Sequence, residues 1–180
     1  MAEKSLTKSL VGTAVMGALA FVISLLEFPI FPSASFLQLD FSMVIIALAG
    51  FIFGTWSGLC CSLVKELLRF AIGSGTGGVG EIANFIVTAS FILLPTIVYH
   101  FKKGLPLVII TLSISCVIQA LVSLLTNRFI MFPLFMGEGA KQAFESLWYF
   151  VLLFNLIKAF ATAILTVLLY KRISYVIKKI

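Results

Sequence analysis

From Phe41 to Ile72 the chain runs 32 residues with almost unbroken apolar character. That is too long for one untilted membrane helix, which needs about 20 apolar residues. Only Gly54-Thr-Trp-Ser-Gly58 interrupts it. The stretch reads as two short spans joined by a tight turn. Gly50, Gly54 and Gly58 fall four apart, a spacing that lets helix backbones approach closely.

Composition extends this reading to the whole chain. Hydrophobic residues make up 61% of the 180, charged residues only 11%, and mean hydropathy is +1.17. A soluble domain carries about 25% charged residues. The sequence therefore predicts an all-α integral membrane protein: one domain over 1–180 with six spans near 9–28, 41–54, 57–72, 81–101, 106–129 and 146–170. The first apolar run, Leu10 to Leu26, is too long for a signal-peptide core and lacks a small-residue cleavage site, so no cleaved signal is expected. Cys60, Cys61 and Cys116 lie inside apolar runs and read as buried, reduced thiols, with no metal cluster at ligand spacing.

The net charge of +6 is explained by its distribution and is not a nucleic-acid signal. Lys4, Lys8, Lys102, Lys103, Lys171, Arg172, Lys178 and Lys179 flank spans, opposed only by Glu3. This places the N-terminus, the 100–105 turn and the C-terminus in the cytoplasm. Both termini on one side require an even number of spans.

The connections add detail. Pro29 and Pro32 end the first span. The 29–40 segment has no Lys or Arg and is apolar for a loop, so it is expected to pack back as a lid. Glu66 and Arg69, at i, i+3, are expected to pair near the outer interface. The Gly73–Gly80 run lacks the Gly-Lys-Ser/Thr ending of a P-loop and reads as a close backbone turn near a ligand. Pro95 is expected to kink the fourth span, and His100 reads as an interface residue. The segment 130–145 reads as a loop.

Polar groups inside spans are expensive and mark function. Asn155 and Lys158, at i, i+3 in the last span, share a helix face. A lysine near the bilayer centre costs about 2.5–3.5 kcal/mol on insertion scales. Helical side chains lean toward the N-terminus, which here directs the Lys158 ammonium outward, toward Asn155. Asn127 lies near the outer end of the fifth span, and Glu81 and Asn84 open the fourth. All five belong to the outer half of the bundle. They predict an outward-facing pocket floored by Lys158, with Phe36, Leu39, Phe85, Phe129, Met131 and Trp148 as apolar neighbours. Asparagine donates and accepts while lysine only donates. Such a pocket suits a flat, mostly apolar molecule with an edge of carbonyls and ring nitrogens, or an anion. No catalytic set, metal site or ATP site is visible, so an enzyme is not expected.

These pieces resemble the substrate-binding (S) components of energy-coupling factor vitamin transporters, and the resemblance covers essentially the whole chain. It rests on the length, the six spans, and Ala14-Val-Met-Gly-Ala18 in the first span. Within that group the sequence is most similar to the riboflavin-specific member. The matching pieces are Leu39-Asp-Phe-Ser42, Gly78-Val-Gly-Glu-Ile-Ala-Asn-Phe85, Asn127 and Asn155-Leu-Ile-Lys158. Thr55 departs from the proline the family often carries. The resemblance implies that Asn127, Asn155 and Lys158 hydrogen-bond riboflavin, with Asn84, Glu81, Leu39, Phe41 and Gly78 around it. It implies that Ala14 and Ala18 dock a transmembrane coupling subunit, that two cytoplasmic ATPases supply the energy, and that riboflavin is transported ligand and no cofactor is needed. An S component for another vitamin, such as pantothenate or biotin, and a stand-alone carrier or channel are the alternatives.

Overall fold

The computed structural model describes the backbone of residues 2–177 and the side chains of residues 6–172. Lys4, Lys178 and Lys179, which contributed to the orientation argument, lie outside the described side chains. Helix α1 (Ala2–Ser24) ends earlier than the predicted 28. Its last turns are closed locally: the Ser24 hydroxyl donates to the Phe21 carbonyl, and Arg69 donates to the Ser24 carbonyl at 2.8 Å. The chain then enters a short antiparallel hairpin, β1 (Phe28–Pro29) with β2 (Gln38–Leu39), pairing Phe28 with Leu39 and Pro29 with Gln38. A 3-10 turn, Pro32–Ala34, lies between the strands.

Helices α2 (Ser42–Phe53) and α3 (Thr55–Gly73) form the predicted short pair. Gly54 joins them at φ +100°, a conformation L side chains rarely adopt, and its N–H reaches the Gly50 carbonyl. A Cβ on Gly58 would lie 3.1 Å from the Gly50 Cα, so the two backbones touch there. Helix α2 is buried on nearly every side and packs against α1, α3, α4 and α7; α4 is Val79–Phe101 and α7 is Ala140–Ile177. Pro95 is buried inside α4. Helix α5 (Leu105–Thr126) packs between α4 and α7.

The predicted 130–145 loop is mostly helical. After α5 come a π turn (Asn127–Met131), a short α6 (Phe132–Met136) and a 3-10 turn (Gly137–Gly139). Pro133 sits in the first turn of α6, where its missing N–H costs nothing, so it does not break the helix as its type implied. Helix α7 therefore starts at Ala140, ahead of the predicted 146.

Two apolar clusters set the interior. One, around Met43, Ile46, Phe91 and Ile92, runs down to Phe51, Tyr99 and Tyr170, where the Tyr170 hydroxyl meets that of Tyr99 at 2.9 Å. The other gathers the hairpin segment onto the helices: Ala34, Leu37 and Leu39 pack with Phe132, Val151 and Phe154. The 29–40 segment thus does pack back onto the bundle. Leu10, Val15, Ile110, Ile114, Ile164 and Leu168 are exposed large hydrophobics facing away from both clusters, the pattern of a lipid-facing surface. By length and apolarity, Leu6–Ser24, Val79–Phe101 and the Leu105–Arg172 stretch holding α5 and α7 can cross a membrane; α2 is shorter. Cys60 corrects its reading: it is an exposed thiol, because adjacent helical residues point in different directions, while Cys61 and Cys116 are buried.

Candidate functional site

The hairpin delivers Asp40, buried, to the start of α2. Asp40 precedes α2, and its Oδ1 accepts from the Ser42 N–H at 2.8 Å and from the Ser42 hydroxyl, closing the first turn. Its Oδ2 accepts from Lys158 Nζ at 2.8 Å, across 118 residues of chain. Burial alone would push the Asp40 carboxyl up, but the Lys158 and Lys65 ammonium groups and their hydrogen bonds outweigh it and hold the group well below the usual carboxylate range.

The Lys158 ammonium was expected to lean on Asn155; the structure pairs it with Asp40 instead. Asn155 donates through Nδ2 to the Val151 carbonyl at 2.9 Å, and Asn127 does the same to Ser123 at 2.9 Å. Each amide is thereby fixed on its own helix with its oxygen left for another partner. Asn127 opens the π turn, and π turns within helices recur at functional sites.

The α3 charges also differ from expectation. Glu66 does not pair with Arg69. Lys65 Nζ donates to Glu66 Oε1 at 2.7 Å, both side chains being about 95% buried. Arg69 reaches instead to Glu27 Oε1 at 2.8 Å. A helix of ordinary interface charges would leave these groups in water; here Lys65 and Glu66 are buried on a helix packed against α1, α2 and α4.

Together these groups line one cavity of about 400 Å³. Its floor holds the buried Asp40, Lys65, Asn127 and Asn155 with the part-buried Lys158, and Met43 and Phe154 as apolar surface. Gln38 and Leu37 reach it from the hairpin segment. Its rim holds Ser74, Thr76, Glu81 and Asn84, where the Glu81 carboxylate accepts from the Ser74 and Thr76 hydroxyls at 2.8 and 2.9 Å. Of the predicted residues, Asn127, Asn155, Lys158, Asn84 and Glu81 are brought together around it, as are Phe36 and Met131.

Six predicted residues stand outside the lining: Leu39, Phe41, Gly78, Phe85, Phe129 and Trp148. Leu39 is buried in the hairpin cluster, because alternate strand residues face opposite sides and Gln38 and Asp40 take the cavity side. Phe41 packs against that same cluster. Gly78 caps α4 at φ +95° against Phe70, and Gly73, Gly75 and Gly80 line the cavity in its place. Phe129 and Trp148 are exposed. Sequence reasoning passed over Asp40, Lys65 and Gln38. Lys65 carried the signal of an ammonium in an apolar run, masked by its proximity to Glu66 and Arg69.

The family model for the substrate-specific component of ECF transporters matches residues 8–170. The chain belongs to that family. It is a transport component of the bacterial plasma membrane, not an enzyme. The chain is 33% identical over 178 residues to the riboflavin transporter RibU of Staphylococcus aureus (strain TCH60), covering 96% of this chain and 94% of the relative. It is 38% identical over 98 residues to the riboflavin transporter FmnP of Bacillus subtilis (strain 168), covering 53% and 50%. A solved S component of a bacterial ECF transporter superposes with a TM-score of 0.83 at 34% identity, covering 96% of this chain and 99% of that one.

Proposed function

We propose that this chain is the riboflavin-capturing S component of an ECF-type importer. The observation that carries this reading is the cavity. It pairs buried amides and ammonium groups with Met43 and Phe154 at its floor and hydroxyl-bearing residues at its rim. A flat heteroaromatic ring with a carbonyl edge suits the first, and a polyhydroxyl chain suits the second. The near full-length likeness to RibU of Staphylococcus aureus supports it. Its pocket faces out of the cell, six helices span the membrane with both termini in the cytoplasm, and the 29–40 segment covers the pocket as a lid. Asn127, Asn155, Lys158, Asn84 and Glu81 hold the ligand. Riboflavin is cargo, with no resident cofactor.

Ala14 and Ala18 lie exposed on α1, on a flank turned away from buried Thr13, Gly17 and Ala20. Small residues there leave a surface that another membrane helix can approach closely. They form the docking face for a transmembrane coupling subunit, which links the chain to two ATPases.

Purified protein titrated with riboflavin tests the reading. We expect stoichiometric quenching of flavin fluorescence, and a preparation that neither carries nor quenches riboflavin would refute it. Uptake by this chain alone, without ATPases, would favour a stand-alone carrier.

A further inference from the structure

The floor of the cavity carries more hydrogen-bonding capacity than the chain itself uses. Lysine has three N–H donors. Lys158 uses one on Asp40 Oδ2, and Lys65 uses one on Glu66 Oε1. Asp40 Oδ1 is occupied twice by Ser42, whereas Oδ2 accepts only from Lys158 and has a lone pair left. All three side chains line the same cavity. Lys65 and Asp40 are about 95% buried, so bulk water does not satisfy what remains.

We propose that Lys65, Asp40 and Lys158 form a donor–acceptor–donor triad that reads the cyclic imide edge of the ligand. An imide edge presents carbonyl, N–H and carbonyl in a row. The two ammonium groups donate to the carbonyls, and Asp40 Oδ2 accepts the N–H between them. Both ammonium groups act on Asp40 through their charge, and with Glu66 the four charges cancel, so the lysines can meet one ligand edge without a net surplus of charge. Glu66 neutralises and orients Lys65 from behind; it is a positioning residue. Met43 and Phe154 supply apolar surface for the ring, and Glu81 and Asn84 stay at the rim for the polar chain.

The inference deepens the riboflavin reading and rests on it. Three elements meet in the triad: the hairpin segment brings Asp40, α3 brings Lys65 and α7 brings Lys158. Ring recognition is thereby tied to the seating of the 29–40 segment, since an unseated Asp40 leaves the central acceptor absent.

The test compares riboflavin with 3-methylriboflavin, which keeps both carbonyls and replaces the N–H with N–CH3. Binding to the full-length protein in detergent is read by fluorescence quenching. We expect the methyl analogue to bind more weakly by roughly tenfold or more, the scale of one lost buried, charge-assisted hydrogen bond. The double variant Lys65→Met/Glu66→Gln, which removes both charges together, is expected to lose riboflavin affinity by a similar factor while Glu66→Gln alone loses less. In protein labelled with 15N-lysine, the Nζ resonance that disappears in Lys65→Arg is expected to shift on riboflavin addition. Equal affinity for the two flavins would overturn the triad, as would an unmoved Lys65 resonance at saturation. The first measurement uses the unaltered protein, so a variant that fails to fold does not obscure the result. Unaltered protein that binds neither flavin would overturn the riboflavin reading itself, and the triad with it.

Discussion

Lys158 in the last helix and Asp40 at the end of the hairpin segment form a 2.8 Å ion pair, with side chains 13% and 6% exposed. It joins α7 to the end of the hairpin segment. Breaking such a pair from one side leaves an uncompensated buried charge, which costs about 3–5 kcal/mol, whereas removing both charges is far milder. We expect Lys158→Met and Asp40→Asn each to lower the melting temperature of the ligand-free protein strongly. The double variant should recover much of the loss. A thermal double-mutant cycle in detergent checks this, and strictly additive losses would show the pair to be energetically idle.

The same pair sets an acid limb. Asp40 titrates lower when folded than when unfolded, where a carboxyl sits at about 3.9. The folded state therefore binds the proton less readily than the unfolded state, and the stabilisation is fully present above the unfolded value. It is lost as pH falls through the depressed folded value. Melting temperature should hold between about pH 7 and pH 5 and decline toward stronger acid, with a shallower decline in Asp40→Asn. A melting series against pH in both proteins decides it; identical acid limbs would assign the decline to other carboxylates.

Asn127 and Asn155 are each anchored by one backbone bond on their own helices, and their amide oxygens remain for a ligand. Replacing either with Ala should weaken riboflavin binding by about 1–3 kcal/mol, the cost of leaving a buried partner unpaired. Trp148→Ala should leave binding unchanged, because Trp148 is exposed outside the lining. Fluorescence titrations of the three variants check this, and a loss at Trp148 matching that at the asparagines would place the pocket elsewhere.

Ala14 and Ala18 face away from the bundle interior. Enlarging both to Leu should spare riboflavin binding and abolish uptake by the reconstituted transporter. Uptake at the level of the unaltered chain would move the docking face off this stretch of α1.

The site residues divide by how they announce themselves in sequence. Asn155 and Lys158 stood out because an amide and an ammonium inside an apolar span carry a cost that can be read without coordinates. Asn127, Asn84 and Glu81 followed from helix register and depth. Leu39 lies outside the cavity lining because strand alternation, invisible in an irregular proline-rich segment, turns Gln38 inward and Leu39 away. Gly78 also lies outside the lining: adjacent glycines are interchangeable in sequence, and only the loop path sends Gly75 and Gly80 to the cavity.

By itself the sequence determined that this chain is a helical membrane protein with polar groups gathered near one end of its bundle. Apolar run length, charge at the ends and buried-polar cost are local quantities, and they do not depend on which helices are neighbours. Tertiary structure decided the partners. Glu66 paired with Lys65 in place of Arg69, Arg69 went to Glu27, and Lys158 found Asp40 from 118 residues away. Each charge in a low-dielectric interior takes the opposite charge that packing brings within reach. Spacing along the chain measures that reach only within a single helix.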